Sequence, residues 1–157
     1  MVGQECFTDA LLEGSQEVFE TMMFMTVEKC SENEVVGDPA VLGSITFKGN
    51  IEGCLTVCCG EDCARAIASN MLALELDGEI DDDGMMDAMG EVANMVMGAV
   101  KTRIMGEVGD LQVSIPSVVR GSELTNSMGD DAQEITMTTY IDEDVARFSL
   151  LYRETSE

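Results

Sequence analysis

The sequence predicts an α+β fold: an antiparallel sheet assembled from hairpins, with long helices packed on one of its faces. Three observations carry that expectation. Three segments repeat apolar residues at helical spacing, and five shorter ones alternate apolar and polar residues. Most of the alternating segments are joined by tight turns and not by helices, which favours antiparallel pairing. A long helix followed by a hairpin occurs in each half, a weak internal repeat. At 157 residues the chain has the length of one domain, taken as 1–157.

The first helix is expected over 8–27, where Phe7, Leu11, Val18, Met22 and Met25 form a stripe widened by Leu12 and Phe19. Thr8 is its expected N-cap, with Asp9 placed for the helix dipole. Turn residues follow at 31–34 and at Gly37-Asp38-Pro39. Ile45 and Phe47 alternate with polar neighbours, Gly49-Asn50 turns the chain, and Ile51, Leu55 and Val57 alternate again, giving a hairpin. Gly60-Glu61-Asp62 opens a second helix carrying Ala66, Ile67, Ala68, Met71, Leu72 and Leu74, and an acidic connection spans 77–83. The third helix is expected over about 84–106. Leu111, Val113 and Ile115 then alternate in a strand that ends at Pro116. After Val118-Val119 and a polar loop over 121–133, a last hairpin pairs Ile135, Met137 and Thr139 with Ala146, Phe148, Leu150 and Tyr152 across Asp142-Glu143-Asp144.

Composition narrows the chemistry. Hydrophobic residues are 45% and charged ones 25%, a globular balance. With 31 acidic and 8 basic side chains the net charge is -23, which disfavours nucleic acid and anionic membrane and favours a partner with a cationic patch. Histidine is absent, so Ser-His and Cys-His nucleophile pairs and histidine metal sites are excluded. The N-terminal residues do not resemble a signal peptide and no apolar run is long enough to span a bilayer, so a soluble cytoplasmic protein is expected. Six cysteines fit a reducing compartment as free thiols.

The third helix carries the most pointed signal. At 100° per residue, Met85, Met89, Val92, Ala93, Val96, Ala99 and Val100 form a broad face that should meet the sheet. Asp87, Glu91, Asn94, Gly98 and Lys101 form a straight polar stripe on the other side. A solvated face is the plain reading of such a stripe. Against it, Gly90 and Gly98 inside a helix each cost about 1 kcal/mol relative to alanine, and Asn94 is a poor helix former. Gly98 leaves a bare patch for the close approach of another backbone.

The run Asp87-Ala88-Met89-Gly90-Glu91-Val92-Ala93-Asn94-Met95 resembles the signature of the CheX/CheC family, phosphatases of the phosphorylated chemotaxis response regulator. The family motif is Asp or Ser, three residues, Glu, two residues, Asn, and a later proline. Asp87, Glu91, Asn94 and Pro116 occupy these places, with Pro116 one residue early. The likeness runs from the first helix to the last strand. CheC-type members repeat the Glu-x-x-Asn pair on the first helix, where this chain has Glu17 and Glu20. The resemblance therefore implies one site, on the third helix, in the CheX pattern, and it implies a homodimer.

The resemblance also implies the substrate: the aspartyl phosphate of a CheY-like response regulator. No cofactor is then bound by this chain, and Mg2+ is supplied by the partner regulator. Phosphoryl transfer asks the helper for positioning more than for covalent work. An asparagine amide both donates and accepts, so Asn94 is the expected water-orienting residue. Glu91, one turn earlier, is expected to form a charge-assisted bond with the regulator's lysine. Asp87, Gly98 and Lys101 are expected to contact the partner, although Asp87 could equally serve the helix start.

Other signals are weaker. Cys54, Cys58, Cys59 and Cys63 lack C-x-x-C spacing, and alternation puts Cys54 and Cys58 on one strand face with Cys59 opposite, so structural thiols are expected and no metal. Asp81-Asp82-Asp83 suits a helix N-terminus better than a calcium loop. The 13 methionines read as core filler. Two competing functions are a non-catalytic module that docks on a regulator or another signalling protein, and a motor-switch component.

Overall fold

The computed structural model describes residues 4–71, 80–122, 124, 128 and 131–155. Helix α1 spans Gln4–Val18, followed by a π-helical turn over Phe19–Met23. The strands are β1 (Val27–Lys29), β2 (Ala40–Lys48) and β3 (Ile51–Gly60). Helices α2 (Glu61–Met71) and α3 (Asp82–Val108) come next. They are followed by β4 (Gln112–Val113), β5 (Ser117–Gly121), β6 (Gln133–Ile141) and β7 (Asp144–Glu154). Among the described residues every pairing is antiparallel, in the order β1-β6-β7-β3-β2-β4, with β5 also on β2.

The expected α+β architecture is what the chain adopts. Both hairpins form at the expected turns, Gly49-Asn50 and Asp142-Glu143, with Asp142 in the left-handed region at φ 55°. One core joins the inward residues of the sheet, among them Val41, Ile45, Phe47, Leu55 and Phe148, to all three helices. Two aromatic pairs seat α1 and its π turn on β7. The Phe7 and Tyr152 rings lie 4.4 Å apart, and Phe19 meets Phe148 edge to face at 5.9 Å.

Several boundaries differ from expectation. Helix α1 starts before Thr8, whose hydroxyl donates to the Gln4 carbonyl at 2.9 Å, so Thr8 is an interior residue and no N-cap. The helix also ends earlier: Phe24, left-handed at φ 57°, closes the π turn, and Val27 already pairs with Ile141 in β1. Strand β1 has only three residues, too few for alternation to reveal it. The single strand expected over 111–115 is instead the short β4, and a second strand, β5, lies beyond Pro116. The Leu72 and Leu74 end of the second helix, with positions 77–79 of the acidic connection, lies outside the described residues.

Alternation along β3 divides the cysteines as expected. Cys59 joins the helix-side core while Cys58 joins a small cluster with Ala40 and Leu42 on the other face. Cys59 and Cys63 hydrogen-bond to each other, which together with burial pushes the Cys59 thiol well above its ordinary pKa. That shift makes a poor nucleophile of a buried thiol.

Candidate functional site

Helix α3 is fixed at both ends before it presents anything. Asp81 is its N-cap, the carboxylate accepting from the Gly84 amide at 2.7 Å. Asp82 in the first turn takes a hydrogen bond from Arg65 of α2 and another, at 2.9 Å, from Arg120 of β5. At the far end Gly109 (φ 80°) donates its amide to the Met105 carbonyl at 2.8 Å, and Asn50 Nδ2 donates to the Val108 carbonyl at 2.9 Å. The acidic run is therefore a helix start, as its composition suggests.

Two small residues let the helix settle close to its neighbours. A Cβ on Gly43 of β2 would stand 2.9 Å from the Met89 carbonyl oxygen, so only glycine lets the α3 backbone lie this near the sheet. A Cβ on Gly14 of α1 would stand 3.3 Å from the Ala99 Cβ. Met85, Met89, Val92, Ala93, Val96 and Val100 are buried, as the helical period predicts. Ala99 departs from that face: it is half-buried and packs toward α1, where the small Gly14 receives it.

The polar stripe faces outward. Asp87, Glu91, Asn94 and Gly98 are all exposed, and nothing lies within 4 Å of a Cβ built on Gly98. Among the described residues no side-chain hydrogen bond or ion pair engages Asp87, Glu91 or Asn94. Glu91 and Asn94 lie three positions apart, a rise of about 4.5 Å along the axis. Asp87 sits a full turn beyond the capping aspartates, so the helix start is served without it. Lys101 differs from the rest: it is half-buried, and its Nζ lies 3.1 Å from Asp110 Oδ1.

Pro116 reaches this stripe from the sheet edge. A Cβ on Gly90 would stand 3.7 Å from Pro116 Cγ and 3.4 Å from Val118 Cγ2, so the proline packs against α3 one residue before Glu91. The corresponding position of α1 is differently engaged. Glu17 accepts from Arg103 of α3 at 3.2 Å, and Glu20 is exposed in the π turn.

The stripe is an open helix face, its Asp87, Glu91, Asn94 and Gly98 all turned to solvent. A cleft of about 450 Å3 lies elsewhere, lined by Thr56, Cys58, Thr136, Thr138, Arg147 and Ser149 of the central strands. An exposed amide and carboxylate on a rigid helix suit a macromolecular partner that brings its own reacting group.

The flank of this site departs from the alternation of the sequence. Ile115, expected to alternate inward with Leu111 and Val113, is 88% exposed, and Val119 is 49% exposed. Leu111 alone of that trio is fully buried.

A seven-stranded antiparallel sheet with helices against it gives the chain the fold of the CheC/CheX-like class of domain. Within that class the chain belongs to the CheX family: the family described as "Chemotaxis phosphatase CheX" matches residues 41–139, which take in the whole stripe and Pro116. The fold is shared with a CheC-like superfamily protein from Shewanella sp. PV-4, at 24% identity and a TM-score of 0.78 over 94% of this chain and 97% of that one. It is shared equally with the chemotaxis protein CheX from Vibrio vulnificus, at 22% identity and 0.78 over 94% and 99%. CheX in the CheX-CheY-BeF3-Mg2+ complex from Borrelia burgdorferi is similar at 17% identity and 0.74 over 94% and 98%. No curated protein matches the chain. Among the described residues no helix is long and apolar enough to cross a membrane.

Proposed function

We propose that this protein hydrolyses the aspartyl phosphate of a CheY-like response regulator, with Asn94 orienting the attacking water and Glu91 pairing with the regulator's lysine. The observation that carries the reading is the pair itself: Glu91 and Asn94 are exposed together on a helix anchored at both ends, and neither is engaged by the protein's own described residues. Membership of a chemotaxis phosphatase family supports the reaction class. The relative from Borrelia burgdorferi solved with CheY, BeF3 and Mg2+ supports the partner.

The division of labour follows from the side chains. The regulator holds the phosphoryl group and its Mg2+, so this chain need only place a water and a charge. The Asn94 amide accepts a hydrogen bond from water through its oxygen or donates one through its nitrogen, and it does not titrate. Holding that water in line with phosphorus turns a bulk encounter into a positioned one. The Glu91 carboxylate, a turn away, offers a cation on the partner a charge-assisted bond that sets the register of Asn94. Asp87, Gly98 and Lys101 complete the proposed contact, Lys101 by exchanging Asp110 for a partner group.

The test is phosphate release from a phosphorylated CheY-type regulator of the same organism, with and without this protein. Asn94→Ala should cost about 100-fold or more of the acceleration, the size of effect seen when one positioned polar group is lost. Circular dichroism of the variant should match that of the wild type. Undiminished acceleration by a folded Asn94→Ala protein would remove Asn94 from the mechanism.

A further inference from the structure

The edge of the sheet beside the stripe carries a one-residue irregularity with a chemical consequence. Strand β4 pairs Phe47 with Val113, and β5 pairs Ser44 with Ser117. Between these pairs, residues 45 and 46 of β2 face residues 114–116 of the edge, two against three, which is a β-bulge. Ser114 pins it. Its amide donates to the Thr46 carbonyl at 2.9 Å, and its hydroxyl accepts from the Thr46 amide at 3.0 Å, standing in for the missing ladder carbonyl. Pro116, which has no amide to donate, closes the bulge and packs against α3 at Gly90.

The bulge leaves Ile115 in solvent at 88% exposure, the largest value of any exposed large hydrophobic residue in the described chain. Its neighbour Pro116 meets the helix one residue before Glu91, so the isoleucine stands at the margin of the acidic stripe. A bulge held by two hydrogen bonds keeps that side chain from folding back into the ladder. Bulges recur beside functional sites because they re-aim a side chain.

We infer that Ile115, held out by the Ser114–Thr46 bulge, is the apolar contact through which this protein grips the regulator beside the Glu91–Asn94 pair. The inference rests on the phosphatase reading. The regulator, and not a second copy of this chain, fits the face on charge grounds. Asp87 and Glu91 stand there without a cation among the described residues, and a second copy would bring the same acids with its own net charge of -23. The complementary surface has a basic group opposite the stripe and an apolar seat next to it. Its binding is then set partly by Ile115, while the chemistry is set by Asn94.

The experiment measures dephosphorylation rate against concentration of phosphorylated regulator for the wild type, Ile115→Ser, Ile115→Leu and Phe24→Ser. Phe24 is 84% exposed and precedes β1 at the opposite edge of the sheet, which makes it the control for loss of any exposed apolar group. Ile115→Ser should raise KM about tenfold or more with little change in kcat, as expected for losing one buried apolar side chain from an interface. Ile115→Leu should recover most of the loss, and Phe24→Ser should follow the wild type. An unchanged KM in Ile115→Ser, with the wild type active, overturns this inference and leaves the phosphatase reading standing. A wild type that accelerates no regulator removes that reading and the inference with it. A lower molar mass for Ile115→Ser in light scattering assigns the face to self-association and also overturns the inference.

Discussion

Pro116 lies against Gly90: a Cβ built on the glycine would sit 3.7 Å from Pro116 Cγ, at ordinary van der Waals separation. The contact ties the sheet edge to the helix one residue before Glu91. It also explains why two residues 26 positions apart in sequence belong to one site. Gly90 is buried under Pro116 and Val118, whereas Gly98 on the same helix faces open space. Two interior glycines of one helix thus have different reasons to exist.

The open glycines can be separated by substitution. Gly98 and Gly106 both have nothing within 4 Å of a built Cβ, so alanine at either should stabilise the fold by about 0.5–1 kcal/mol through helix propensity alone. Urea unfolding checks that gain. Gly98 lies in the stripe with Asn94, while Gly106 lies two turns further on. Gly98→Ala should therefore also weaken regulator binding, and Gly106→Ala should not. Equal binding by the two variants would return Gly98 to an ordinary surface position.

Gly43 gives the opposite sign. Its Cβ would stand 2.9 Å from the Met89 carbonyl oxygen and 3.6 Å from the Ala93 Cβ, and a backbone oxygen in a packed helix cannot step aside alone. Gly43→Ala should destabilise by about 1–3 kcal/mol, the range for overpacking a well-filled core. The denaturation midpoint would show it, and a midpoint equal to the wild type would mean that α3 moves freely over β2.

Much of the fold was legible because local patterns and tertiary contacts agree. Gly49-Asn50 between alternating runs specifies a hairpin, and the period of α3 separates Met89 and Val92 from Glu91 and Asn94 without reference to anything else. The edge strands were not legible. β1 is three residues long, and β5 draws its register from β2, not from a pattern of its own. Ile115 shows why most clearly. The inward positions are Leu111 and Val113 before the bulge, and Pro116 and Val118 after it. One inserted residue reverses the phase of a two-residue period, so alternation carried past it assigns Ile115 to the wrong environment. Within the stripe, only the ion pair of Lys101 with Asp110 was invisible, since it depends on how the turn after α3 folds back.

Acid should expose the clamp at the start of α3. Asp82 joins Arg65 of α2 to Arg120 of β5, and hydrogen bonds from Arg65 first and Arg120 second hold its carboxyl below the ordinary value of 3.8. A carboxylate whose folded-state pKa is depressed contributes stability above its unfolded value and loses it as pH falls through the folded one. The contribution is thus complete near neutrality and declines only below about pH 4. Asp82→Asn removes the titration while keeping the shape. Its melting temperature should lie below that of the wild type by a constant margin from pH 7 to pH 5, and the margin should shrink on further acidification. Because the group is exposed, added salt should narrow the same margin at neutral pH. A difference that persists unchanged in strong acid would show that Asp82 acts through its hydrogen bonds and not through its charge.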